Sequence, residues 1–189
     1  MFGRRERGAI AVEAGLLIAF VLAPLLLGMV ELAFFLRDHV AATSLSRSGA
    51  RVASQEPRRD TFAQDAADAL ERSASAIPRD AIDFVWIYRD GGTGSPPATC
   101  DTNCVVYRWV DGTPGRFTYQ SGSWSASSIN ACQGDPTAHS VGVLVQATHP
   151  WFFGFLGSDT SVRANTVMRF EPLYPDHTIP GVESGCKQV

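Results

Sequence analysis

Residues 14–36 read AGLLIAFVLAPLLLGMVELAFFL, an apolar run broken by a single charge, Glu31. A helix rising about 1.5 Å per residue carries that run across roughly 34 Å, enough to span a hydrocarbon core. From residue 32 onward the pattern loosens. Leu32, Phe35, Leu36, Val40, Leu45 and Val52 interleave with Arg37, Asp38, Arg47 and Arg51, and no proline follows until Pro57. This loosely amphipathic spacing predicts one continuous helix of about 45 residues whose outer half lies on a globular domain. Gln-Glu-Pro-Arg-Arg at residues 55–59 breaks it. Thr61 and Gln64 then have the spacing of a capping box, and Phe62, Ala66, Ala69, Leu70 and Ser73 share one face of a second helix that Pro78 stops.

The period then changes from that of a helix to that of a strand. Ile82, Phe84, Trp86 and Tyr88 alternate with Asp83, Val85, Ile87 and Arg89, which predicts a strand with the first set as its strongly apolar face. A Gly- and Pro-rich loop, residues 91–100, ends it. Residues 105–110 and 116–120 read as two further strands joined by Asp-Gly-Thr-Pro-Gly, which is hairpin turn chemistry. Residues 141–148 and 162–170 supply two more, the last alternating Val162, Ala164, Thr166, Met168 and Phe170 with Arg163, Asn165 and Arg169. Helices first and strands afterwards define an α+β chain: a long N-terminal transmembrane helix, a short second helix, and a four- to five-stranded antiparallel sheet packed on the long helix.

A chain of 189 residues has room for one membrane segment and one globular domain of ordinary size. The apolar run is too long for the core of a cleaved secretory signal, which is about 7–15 residues. Arg4, Arg5 and Arg7 precede it closely, so the positive-inside rule keeps the short N-terminus in the cytoplasm. The expected organisation is a cytoplasmic leader at 1–8, a membrane helix at 9–37 and an extracytoplasmic domain at 38–189. Cys100, Cys104, Cys132 and Cys186 all fall in the exported part, where an even number implies two disulfides with three possible connectivities. The spacing of Cys100 and Cys104 would also suit a zinc ligand pair, but no second pair of Cys or His follows, so no metal is expected. A net charge of −3 argues against a nucleic-acid partner.

Catalytic chemistry finds little support. His39, His139, His149 and His177 show no metal spacing, and no hydrolase, zinc-protease or phosphate-loop motif occurs. Asp135, His139 and Ser140 are neighbours in sequence, which is no evidence for a triad assembled in space. Neither an enzyme nor a cofactor is therefore expected. Trp151, Phe152, Phe153 and Phe155 form an aromatic cluster expected to serve as core, with a subunit contact as the alternative if it is exposed. Glu31 lies toward the outer end of the run, where snorkelling to water is expected. Pro24 predicts a kink or a locally tolerated irregularity. Residues 174–189 are expected to be irregular, tethered only if Cys186 is bridged.

The most specific signal is at the start of the apolar run. Gly8 is followed by Ala-Ile-Ala-Val-Glu, which puts Glu13 five residues after it, with Arg-Arg-Glu-Arg just before. An ionised carboxylate within an apolar helix is costly and calls for a partner, unless Glu13 lies at headgroup level and reaches water. The pattern resembles the type IV prepilin processing site, in which a membrane peptidase cuts after the glycine and a glutamate occupies the fifth mature position. Over roughly the first 55 residues the chain resembles the TadE family of the tight-adherence, or Flp-type, pilus system, departing from it at Ala14, where an aromatic residue is common. Beyond that the likeness is one of layout, with a strand before His-Pro-Trp-Phe-Phe and a late strand ending in Met-Arg-Phe-Glu-Pro.

The resemblance implies a pilin-like fold, processing between Gly8 and Ala9 by a prepilin peptidase, an assembly role for Glu13, and other pilins and pilus-assembly proteins as partners. Cleavage would expose the Ala9 amine, a cation placed to face a neighbour's Glu13. Two functional classes follow: a minor pilin or pseudopilin supporting assembly of a pilus, or a permanently anchored envelope protein that binds or scaffolds through its outer domain.

Overall fold

The computed structural model describes residues 3–73, 75–112, 114–154 and 157–173, with backbone alone at residues 3–7 and 9. Three helical segments run on from one another at the N-terminus: α1 (Gly3–Leu17), a π-helical turn (Ile18–Leu22) and α2 (Ala23–Gln55). Pro24 explains the π turn. Its missing N–H and its ring disrupt the bond to the carbonyl one turn earlier, and the helix widens just before it, with Ala23 N–H donating to Ile18 O. Over the apolar window of this rod nothing is buried, so one helix, long and apolar enough to cross a membrane, projects from the domain.

The outer half of α2 is seated by its small residues. Ala42, Leu45, Ser46, Gly49, Ala50 and Ala53, at helical spacing, are buried against α3 (Phe62–Arg72) and two strands of the sheet. Alanines 63, 66 and 67 of α3 are buried as well, so the two helices approach closely. Ser46 Oγ is fully buried yet satisfied, bonding Thr43 O at 3.0 Å and Thr166 Oγ1 at 2.8 Å, and Ser48 Oγ meets Ser73 Oγ at 2.7 Å. The expected capping box does not form. Thr61 Oγ1 donates to Asp65 Oδ2 instead, and Gln64 Nε2 turns to Asp68 and to Phe117 O. Nor does Pro78 set the end of α3, which stops at Arg72. Ser73 leaves it in extended conformation, and Arg79 donates to Glu71 O and Ser73 O near that end.

Five strands form one antiparallel sheet in the order β3-β2-β1-β4-β5, with β1 Ile82–Asp90, β2 Cys104–Val110, β3 Arg116–Ser123, β4 Ser140–Pro150 and β5 Asp159–Arg169. This is the α+β arrangement expected. Where one strongly apolar face was expected, β1 has two. Ile82, Val85 and Ile87 enter the main core with Val141, Val143 and Val145, while Phe84, Trp86 and Tyr88 occupy the opposite face with Val106, Leu144 and the Cys100–Cys104 disulfide. A register shift between Ile82 and Phe84 lets Ile82 change sides. Gly142, opposite Tyr88, leaves space for its ring on that far face: a Cβ there would lie 2.2 Å from the Tyr88 ring.

Gly49 is the tightest point beneath α2. An added Cβ would meet Leu70 Cδ1 at 2.4 Å and Val143 Cγ1 at 3.3 Å. In Gly49→Ala the Leu70 end can swing away, and a gain in helix propensity of about 1 kcal/mol offsets the disturbance. Gly49→Val adds methyl groups with nowhere to go and is expected to destabilise the protein by about 1–3 kcal/mol. Unfolding of the full-length protein in detergent micelles, followed by circular dichroism, checks the difference between the two variants.

Candidate functional site at the ends of the long helix

Two sites divide the long helix. At the inner end, the bond between Gly8 and Ala9 lies within the helical backbone of α1, and a Cβ at Gly8 would meet nothing within 4 Å. Glu13 is exposed and makes no hydrogen bond or ion pair among the described residues. At the outer end, some 27 Å further along at about 1.5 Å per residue, Glu31 behaves quite differently. It is 2% exposed, and its Oε1 accepts the Phe153 N–H at 2.5 Å. The expectation of snorkelling is therefore wrong: the carboxylate is covered by the turn between β4 and β5, and its Oε2 is buried without a hydrogen bond among the described residues.

One helical face carries the rest of this junction. Phe34, Phe35 and Asp38 follow Glu31 by three, four and seven positions and meet the end of β4. Phe35 stacks on Trp151 with ring centroids 5.8 Å apart and meets the edge of His149 at 5.7 Å, while Phe34 packs on Phe152 at 5.3 Å. His149 is 2% exposed, and its Nδ1 lies 2.7 Å from Asp38 Oδ2. A carboxylate only accepts, so Nδ1–H donates to it. Arg37 donates to the other oxygen, Asp38 Oδ1, and its guanidinium covers the Phe34 ring. A cavity of about 180 Å³ opens beside His149 and Phe152.

The aromatic cluster is not the core it was expected to be. Trp151 is half-buried, but Phe152 is 65% and Phe153 43% exposed, and Phe155 lies outside the described residues. Asp38 and His149 were missed as a pair because 111 positions separate them. The spacing of Glu31, Phe34, Phe35 and Asp38 on one helix face was the signal available for half of the site.

The remaining candidates are elsewhere. Cys100 and Cys104 bond to each other, pinning the loop before β2 to the outer face of the sheet. Cys132 is also disulfide-bonded, and Cys186, with the rest of residues 174–189 and His177, lies outside the described residues. Asp135 does not bond His139: its carboxylate accepts from Asn130 Nδ2 at 2.7 Å and from the Thr137 N–H and hydroxyl, which hold it below its usual pKa. His139 Nδ1 accepts the Asn130 N–H at 3.1 Å, and burial, followed by the charge of Arg89, pushes its pKa down. Among the described residues no three His, Cys, Asp or Glu side chains gather as a metal site.

Comparison with family models, with curated proteins and with solved structures gives no match. The functional reading therefore rests on the residues and their placement.

Asp38→Ala leaves the buried His149 N–H without its acceptor and is expected to cost about 1–3 kcal/mol of stability. Asp38→Asn keeps a carbonyl oxygen in the same place and loses less. Thermal unfolding of the full-length variants in micelles separates a lost hydrogen bond from a general intolerance of change at this position.

Proposed function

We propose that this protein is a minor pilin or pseudopilin of a tight-adherence pilus, a structural subunit and not an enzyme, anchored by residues 9–37 with its N-terminus in the cytoplasm and its domain outside. The observation that carries this reading is the division of one helix. Its apolar half stands clear of the domain, with Gly8 and Glu13 at the free end, and its small-residue half is built into the sheet. An apolar helix free of its own domain suits a subunit that sits first in lipid and then packs helix to helix with other copies or other pilins.

Cleavage after Gly8 by a prepilin peptidase breaks one peptide bond and leaves the Ala9 amine as a cation. Glu13, four residues further on, has no acceptor-saturating donor in its own described chain, so the amine of a neighbouring subunit is a suitable counter-charge. The Arg-rich leader, useful for orientation, is removed in the same step.

Mass spectrometry of the protein purified from membranes of its native host is expected to find Ala9 as the N-terminal residue. A chain starting at Met1 or Phe2 overturns the reading and favours a permanently anchored scaffold or binding protein. Glu13→Val is expected to accumulate in the membrane at normal levels while surface pili become fewer or disappear. Unchanged piliation, counted by electron microscopy, removes the role given to this carboxylate.

A further inference from the structure

The turn after β4 is placed where water is not the natural solvent. Glu31, to which Phe153 N–H donates, precedes Arg37 by six residues, or roughly 9 Å along the helix axis, and Arg37 is the first charge after it. Residues 151–153 thus lie level with the last turns of the apolar run. What the turn exposes is apolar: Phe152 and Phe153, at a level where the helix exposes Met29, Val30, Leu32 and Leu36. No charged side chain occurs from 151 to 154.

Part of the backbone of the turn is also provided for without water. Trp151 N–H donates to Ser158 O, Phe153 N–H to Glu31 and Gly157 N–H to Gly154 O, so these donors are satisfied within the chain. Irregular backbone enters lipid only under such conditions. Tryptophan and other aromatic rings favour the boundary between acyl chains and headgroups. The same bond serves Glu31, which in lipid needs a donor that the helix itself does not provide.

We propose that residues 151–153 are a second membrane contact, a wedge that enters the outer-leaflet interface of the bilayer spanned by the helix and fixes the domain against it. The inference rests on the membrane-span reading and adds that the domain does not swing freely on its anchor. A second copy of the chain is the competing occupant of the aromatic patch. The level of the turn, alongside the apolar part of the helix, favours lipid.

The test uses the full-length protein in phosphatidylcholine–phosphatidylglycerol vesicles whose acyl chains are either brominated or plain. In a Trp151→Phe background, Phe152→Trp places a reporter on the turn. Thr93→Trp places one in the exposed loop after β1, at the end of that strand remote from β4's Pro150. Brominated lipid is expected to quench the added emission of Phe152→Trp and to leave that of Thr93→Trp unchanged. As a check that does not depend on the new tryptophan folding well, quenching of the unmodified protein should decrease on Trp151→Phe alone. Equal emission in the two lipids at position 152, together with no effect of Trp151→Phe, overturns the wedge and leaves the patch to a protein contact. Alkaline extraction of the same vesicles distinguishes the two layers of the argument. Protein that stays in the lipid but shows no quenching at the turn defeats the wedge alone, whereas protein released from the lipid defeats the span and the wedge together.

Discussion

The seating of α2 on the sheet is the constraint from which the rest of the molecule follows. One helix has to serve two surroundings, and it does so by changing composition along its length. The inner part carries bulky side chains on every side, suited to lipid, whereas the outer part presents Ala42, Gly49, Ala50 and Ala53 to α3, β4 and β5. Close approach of backbones maximises contact between atoms. The branched aliphatic residues of β1 and β4 face the helices, and the aromatic residues of β1 lie on the opposite side of the sheet. There the Cys100–Cys104 loop and Gly142 accommodate them.

If the apolar half of the rod spans a membrane, as proposed, its exposed surface also fixes how the chain can leave it. Each Leu, Ile, Val or Phe side chain taken from an apolar environment into water costs roughly 1.5–3 kcal/mol, and the exposed half of the rod holds many of them. Release into water is therefore prohibitive. Transfer into an array of similar helices is not, because one apolar environment replaces another. The proposed role in a pilus uses the same surface for both states, which is why a structural subunit fits this architecture better than a soluble binding module. A permanently anchored scaffold would use only the first of them.

Local periodicity made most elements legible in the sequence. The long helix and all five strands follow from spacing, and the smaller helix follows from Phe62, Ala66 and Leu70. The failures have a common cause in tertiary competition. Both alternating sets in β1 contain large apolar residues, so pattern alone could not say whether Val85 and Ile87 or Phe84 and Trp86 would meet the helices. Thr61 had the right spacing for a capping box, but its hydroxyl found Asp65, a partner no template includes. Glu31 looked free to snorkel because its donor, Phe153, comes from a turn 122 positions away. Of the candidate sites, the proposed processing pattern at Gly8, Ala9 and Glu13 is contiguous and so can be noticed in the sequence alone. The junction of Asp38 with His149 cannot, since neither residue says anything about the other until β4 is placed.

The three carboxylates of this helix whose side chains are described show how the chain distributes its own hydrogen-bond donors. Asp38, at the watery end, receives His149 on one oxygen and Arg37 on the other. Glu31, further into the apolar run, receives a single peptide N–H. Glu13 receives none from the described residues, although a carboxylate at that depth has at least as great a need for one. The domain reaches down the helix only as far as the turn after β4 and cannot supply what is missing. Whatever stabilises Glu13 must then come from outside the fold described here, from headgroups, from water or from another molecule. That asymmetry is consistent with the assembly role proposed for the N-terminal end of the helix, while the other end is where the domain is held in position.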